Sequence, residues 1–368
     1  MRKKTLRSRE KGLALVAVLL LLLVLTVAGS TLFLMTGSDL KISINAQQNL
    51  SALYAAEAGM HSLLAFFRRA PEAFFLKKNG SALNVPTSEP AGTPGDDFRV
   101  WLTALRYDPA AIPRYVECIV QSRDPESGAS ARIGAVIVHN PLPEPFGIGL
   151  VTAGRLQAEG AVDVQTGIHA NQGYSLDPAL ADQLRQNQYP LTQAVDPAAA
   201  DYRPALTGPT LSAADLDHYR NLAQTGNNLF LQGNQELDLA GDQQGLLIFV
   251  AGNARVQASD LSGVTLVATG RITLFGNIRF NARQQIDTAL LAGGDILLNN
   301  AGEACGVFWS GGALIPAGAG KVEGIIVSQG GVRADRSFRF QRSDRLQNPY
   351  LPPPSSGPPF VLKGWLQL

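Results

Sequence analysis

The residues that could do chemistry are few and far apart. The two cysteines, Cys118 and Cys305, stand 187 positions from each other and form no CxxC or Cys/His cluster. Structural zinc and thioredoxin-type redox chemistry need such clusters and are excluded, which leaves at most one long-range disulfide. No histidine follows His218, so the commonest general base is missing from most of the C-terminal half. Cleaving a glycosidic bond wants two carboxylates facing each other. The acids Asp238, Asp242, Asp260, Asp287, Asp295, Glu303 and Glu323 are instead scattered, with no Asp-x-Asp pair. Asp238 and Asp242 could share a calcium ion with nearby carbonyls, but no EF-hand run, Walker loop, HExxH or GxSxG occurs. We therefore expect no catalytic residue, no cofactor and no metal.

The whole chain argues the same way. Its 368 residues carry a net charge of +1 and only 17% charged residues. That balance lacks the basic face of a nucleic-acid binder. The length permits two or three domains with ample core, so folding needs no metal or disulfide staple.

The ends are less even than the average. Residues 2–11 hold Arg2, Lys3, Lys4, Arg7, Arg9 and Lys11 against Glu10, a local +5. From Leu13 to Met35 follow 23 residues without a charge. As a helix they span about 34 Å, enough for a hydrocarbon core of about 30 Å. The basic flank predicts a cytoplasmic N-terminus, with everything after Met35 exported. A cleaved secretory signal has a shorter apolar stretch and a break after it. Here the helix pattern runs on without proline to Arg69, and Pro71 stops it. Ala46, Leu50, Leu53, Glu57, Met60, Leu64 and Phe67 alternate by four and three, a heptad-like seam for packing on the protein's own globular part.

These residues resemble a known class. A short basic leader ending in Gly12, followed at once by an apolar helix, resembles the class III signal of type IV prepilins and type II secretion pseudopilins. The resemblance implies cleavage between Gly12 and Leu13 by prepilin peptidase on the cytoplasmic side, N-methylation of Leu13, and retention of the helix in a filament core. Removing the leader leaves 25 basic and 29 acidic residues, a mature charge near −4. Major pilins carry Glu at the fifth mature position, which here is Ala17. That departure, with Ala56, Glu57, Ala58 and Gly59, is specifically similar to PilX-type minor pilins. The resemblance implies packing against other pilins or pseudopilins through the N-terminal helix, with Ala17, Leu50, Leu53, Glu57 and Met60 as its filament or helix packing positions. Glu57 is a polar residue on an apolar seam, and burying it is costly unless it meets a basic partner.

After a loop-rich stretch at 71–97 come three strand-like runs, Phe98–Leu105, Arg114–Arg123 and Ala131–His139. In the second, alternation puts Cys118 on an apolar face as a buried thiol. A short antiparallel sheet packed on the long helix is the arrangement the resemblance also implies. From 146 onward an apolar run, a small residue, Gly or Asn, and another apolar run recur. The central positions Thr152, Ala170, Gln232, Ala251, Ala268, Ala292, Ser310 and Ser328 are spaced 18, 62, 19, 17, 24, 18 and 18. That period is too short for helical repeats or propeller blades and suits coils of a parallel β-solenoid. The gap of 62 predicts an insertion at 174–228 holding a helix capped by Ser212. His169 and Asn171 read as turn and ladder residues. The Pro-rich end is expected to pack back through Phe360, Val361 and Trp365.

The expectation is an α+β protein. It has a leader at 1–12, a transmembrane and amphipathic helix at 13–70, a small pilin-like module at 71–145, a β-solenoid at 146–345 and an arm at 346–368. It implies a low-copy minor subunit of a type IV pilus near the filament tip, structural rather than enzymatic. Such a subunit starts as a single-pass inner-membrane protein among lipid and moves to the surface pilus, with the solenoid head free for a surface or host ligand. Two other readings stay open: a type II secretion tip pseudopilin, and a membrane-anchored glycan-binding or glycan-active β-helix protein.

Overall fold

The computed structural model describes residues 4–69, 71, 99–107, 115–123, 128–139, 148–158, 162–206, 211–225, 227–280, 286–299, 302–318, 320–334, 338–343, 346–356 and 360–367. The loop-rich stretch at 72–97, Phe98 and Arg114 lie outside them. The fold is a long N-terminal helix followed by a mostly-β region.

Helix α1 runs unbroken over Lys4–Arg69. Its Leu15–Met35 part is exposed all round, and its most apolar window has mean hydropathy 2.7. A helix apolar on every side is stable in lipid or among other apolar helices, not in water. From Ala52 onward one stripe of α1 is buried on a sheet.

That sheet has four antiparallel strands. They are β1 (Arg99–Tyr107), β2 (Tyr115–Arg123), β3 (Ser130–His139) and the C-terminal strand Phe360–Gln367, in that spatial order. Alternation in β2 buries Val116, Cys118, Val120 and Ser122. The Pro-rich arm therefore ends as a full partner of β3, with Phe360 beside His139 and Trp365 beside Ala135. Everything between His139 and Phe360 is a loop of the chain inserted between two neighbouring strands of this sheet.

Among the described residues, the inserted part forms a second sheet of seventeen strands, and every pairing within it is parallel. Short strands from successive turns of the chain lie over one another. One inward ladder reads Ile248, Leu266, Leu290, Phe308, Ile326, Leu150, Ile168 and Leu191, each paired with the next. All eight are buried in one core. Burying each large apolar side chain stabilises by about 1.5–3 kcal/mol, so the ladder is a principal source of stability. Tight stacking explains the glycines: a Cβ on Gly324, whose φ is +150°, would stand 1.8 Å from the Gly306 carbonyl oxygen.

The order of turns differs from the expectation. Ala170 does not stack on Gln232 across an insertion. It pairs with Gln193, while Thr152 pairs with Ser328. The turns from Gly149 to Gln193 thus extend the stack beyond its last C-terminal turn, and Leu229–Gln232 lies at the far end. The expected insertion at 174–228 is therefore no excursion from neighbouring turns: Tyr174–Ser175 and Leu191–Gln193 pair within the stack, and the chain from 194 to 228 connects its two ends. The eight repeat positions also slip once: Gln232 pairs with Ala251, but Val250 rather than Ala251 pairs with Ala268.

Among the described residues, 174–228 holds two helices. Pro178–Gln186, capped by Asp177, buries Leu180, Ala181 and Leu184 in the stack core at the Gln193 end. Ala213–Ala223 starts with a capping box between Ser212 and Asp215 and lies along the flank. There Tyr219 and Leu222 pack with Leu247, Phe249 and Trp309.

Candidate functional site

The surface that α1 offers is built from its sequence upward. Within the apolar part, Thr26, Ser30, Thr31 and Thr36 each donate to the carbonyl four residues back, at 2.7–2.9 Å. Their hydroxyls carry no orphan donor into an apolar surrounding, where one would be costly. The exposed apolar surface runs past the span of Leu13–Met35 and takes in Leu40, Ile42, Ile44, Leu50 and Tyr54.

The buried stripe of α1 is Ala52, Ala56, Met60, Leu63 and Phe67. Two alanines let the helix approach β2 closely, and the Ser122 hydroxyl donates to the Ala52 carbonyl. At the other end the Phe67 ring meets Phe360 with centroids 5.8 Å apart, and Phe360 meets His139 at 5.1 Å. The N-terminal helix and the C-terminal strand thus share one core. Cys118 lies within it, and burial pushes its thiol up to about 12. Both cysteines are buried and free.

Of the residues singled out from sequence, Met60 is buried, Leu53 and Glu57 are half-buried, and Leu50 and Ala17 are exposed. Ala46 is exposed too, so the expected seam is shifted by about one position and begins later. A strict heptad repeats every 3.5 residues and drifts against a straight helix of 3.6. The observed spacing of four, four, three and four follows the straight helix. The missed residues are Ala52, Ala56, Leu63 and Ser122; the paired alanines were a legible signal for close approach. Gly12 and Leu13 lie within α1, and their side chains are outside the described residues.

On the stack, His169 is fully buried, with Nδ1 2.8 Å from the Thr192 hydroxyl and Nε2 2.8 Å from Asn171 Oδ1. Burial lowers its pKa; the Asn171 bond opposes this and Arg203 adds to it. The neutral ring donates from Nε2 to Asn171, whose side chain also holds both backbone groups of Leu206. The pair fastens the connection to the stack.

Among the described residues, one group of potential metal ligands stands together, Glu303, Cys305 and Glu323. Lys321 already holds it: its Nζ is 3.3 Å from Glu303 and 2.6 Å from Glu323. Burial, then the two glutamates, push the Cys305 thiol up to about 12. The thiol stays neutral, while Lys321 between the two glutamates forms a charge ladder between turns, continued by Arg339 on Asp163 at 2.8 Å.

Asp215 is buried and ties the flank helix to the chain's return toward the antiparallel sheet. It accepts from the Ser355 backbone and hydroxyl at 2.9 and 2.6 Å, and from Ser212. Burial alone would raise its carboxyl, but the bonds from Ser355 and Ser212 outweigh it and hold the pKa low.

Comparison with known proteins bears on the helix. Residues 11–61 match the PilX N-terminal family. The N-terminal segment is PilX-like. The match covers the junction of Gly12 and Leu13, the exposed apolar part and the buried Ala52 and Ala56, and it stops before the sheet. No curated protein matches the chain. Among solved structures, the competence-associated pilin ComZ from Thermus thermophilus is similar at 12% identity. The comparison covers 87% of this chain and 97% of that one with a TM-score of 0.35, too distant to carry a structural argument.

Proposed function

We propose that this chain is a minor pilin-like subunit, built for assembly and interaction rather than catalysis. Residues 1–12 are its leader, cut between Gly12 and Leu13 by prepilin peptidase. The helix from Leu13 anchors it in the inner membrane, N-terminus inward, and then packs among the helices of other pilins in a type IV pilus. Ala17, in place of the usual Glu, and a bulky head suit a low-copy position near the tip. The head is a β-solenoid presented by the pilin-like module, with its outer faces available to a surface or host ligand.

The observation that carries this reading is the division of α1. One continuous helix is apolar and exposed over Leu15–Met35, yet docked on an antiparallel sheet from Ala52. The PilX N-terminal match over residues 11–61 supports it. A filament subunit needs both halves: one to pack against copies, one to hold its own head.

N-terminal mass spectrometry on cells with and without the prepilin peptidase, and on sheared filaments, is the test. A chain starting at N-methylated Leu13 in the filament fraction is the expected result. An intact Met1 start that ignores the peptidase overturns it.

A further inference from the structure

The two ends of the parallel stack are finished differently. At the Gln193 end, Leu180, Ala181 and Leu184 of the helix Pro178–Gln186 close the core. At the other end the last strands, Leu229–Gln232 and the first half of Gln235–Ala251, have a strand neighbour on one side only among the described residues. The inward ladder ends there on Leu229, which is 45% exposed, and Leu231, Leu237, Leu239 and Leu246 are only half-buried.

The corner of the stack shows what a further turn would meet. Asn253 N–H donates to Asn234 Oδ1 at 2.9 Å, and Arg271 N–H donates to Asn253 Oδ1 at 2.7 Å. Each turn hands the next an acceptor, and no turn among the described residues lies below Asn234 to continue the series. Beside this edge is an open groove of about 480 Å³ lined by Arg220, Gln224, Phe230 and Gln232.

Charge selects the occupant. Between Arg220 and Arg255 there is no lysine or arginine, while Glu236, Asp238 and Asp242 are all exposed on the end turn. Among the described residues, of these three acids only Glu236 has an ion-pair partner, Arg255 at 3.9 Å. A second copy would bring like charges face to face, which opposes edge-to-edge pairing. We propose that this open end binds an extended, lysine- or arginine-bearing segment of a partner protein, added as one further parallel strand. Its backbone completes the edge, its alternate apolar side chains cover the leucine ring, and its cations face the three acids.

The probe is a short labelled peptide alternating lysine and valine, offered to the full chain in detergent; the same pattern with glutamate is the control. Fluorescence anisotropy reads affinity and hydrogen exchange reads location. Binding of the lysine peptide with new protection over residues 229–240 is expected. The double variant E236K/D238K weakens it by about tenfold and gains the glutamate peptide. Leu229→Asn weakens binding with the charges intact, and Asp182→Lys at the capped end leaves it unchanged. Absence of binding, protection elsewhere, or indifference to the charge reversal overturns the proposal and leaves the acids as guards against strand pairing.

Discussion

Ser328 and Thr152 lie side by side in parallel register, although 176 residues of sequence separate them. That pair is where the start of the inserted region is laid on its end. It leaves the chain from 194 to 228 to join the two ends of the stack and makes the flank helix Ala213–Ala223 a brace between distant turns.

The brace depends on Asp215. Asp215→Ala leaves the donors of Ser212 and Ser355 without their acceptor and removes the capping box. We expect a loss of about 2–4 kcal/mol, from the missing reciprocal half of the capping box and the lost charge-assisted bonds. Denaturant unfolding measures it, and hydrogen exchange is to show the faster opening at residues 346–356. Ser355→Ala has the same direction and a smaller size.

Acid acts on the stack through its histidines. Burial lowers the pKa of His169 and of His218, the latter against the pull of Asp215. The unfolded chain therefore takes up the proton first. Their contribution is complete above the unfolded pKa of about 6.5 and declines as pH falls below it toward the lowered folded values. Stability measured from pH 7.5 to 5 is expected to slope downward with acid. His169→Gln flattens part of that slope.

Gly324→Ala tests the stacking distance. The added methyl collides with the Gly306 carbonyl oxygen, and φ of +150° is foreign to alanine. A cost of about 2–5 kcal/mol follows from overpacking plus backbone strain. Gly364, in the antiparallel sheet, has nothing within 4 Å of such a methyl, and Gly364→Ala is expected to be near neutral in thermal unfolding.

The seam of α1 separates two roles. Leu63→Ala removes a fully buried side chain and is expected to destabilise the helix–sheet unit by about 2–5 kcal/mol. Leu50→Ala changes an exposed residue and leaves unfolding unchanged within about 0.5 kcal/mol. If α1 packs against other subunits, Leu50→Ala instead lowers the amount recovered in sheared filaments.

Several features were legible in the residues because their causes are local. The charge-free run Leu13–Met35 and the absence of proline up to Arg69 determine a long helix, apolar on every side in its first part. Alternation over Tyr115–Arg123 determines a strand with Cys118 inside. Ser212 ahead of an apolar-periodic run determines a helix start. The recurrence from Thr152 to Ser328 determines short strands at intervals of 17–24 residues, broken by one gap of 62.

What only the tertiary structure decided is which of these local pieces meet. Each turn points similar apolar side chains inward at equivalent positions, so by pattern alone Ala170 fits Gln232 as well as Gln193. The choice falls to long-range packing: Leu180 and Leu184 close one end, and Tyr219 braces the flank against Trp309. Phe360 reaches β3 only because the whole stack brings the chain back to it. The buried phase of α1 was set likewise, since a helix shows many nearly equivalent stripes and the sheet beneath selects the one with alanines where the backbones come closest.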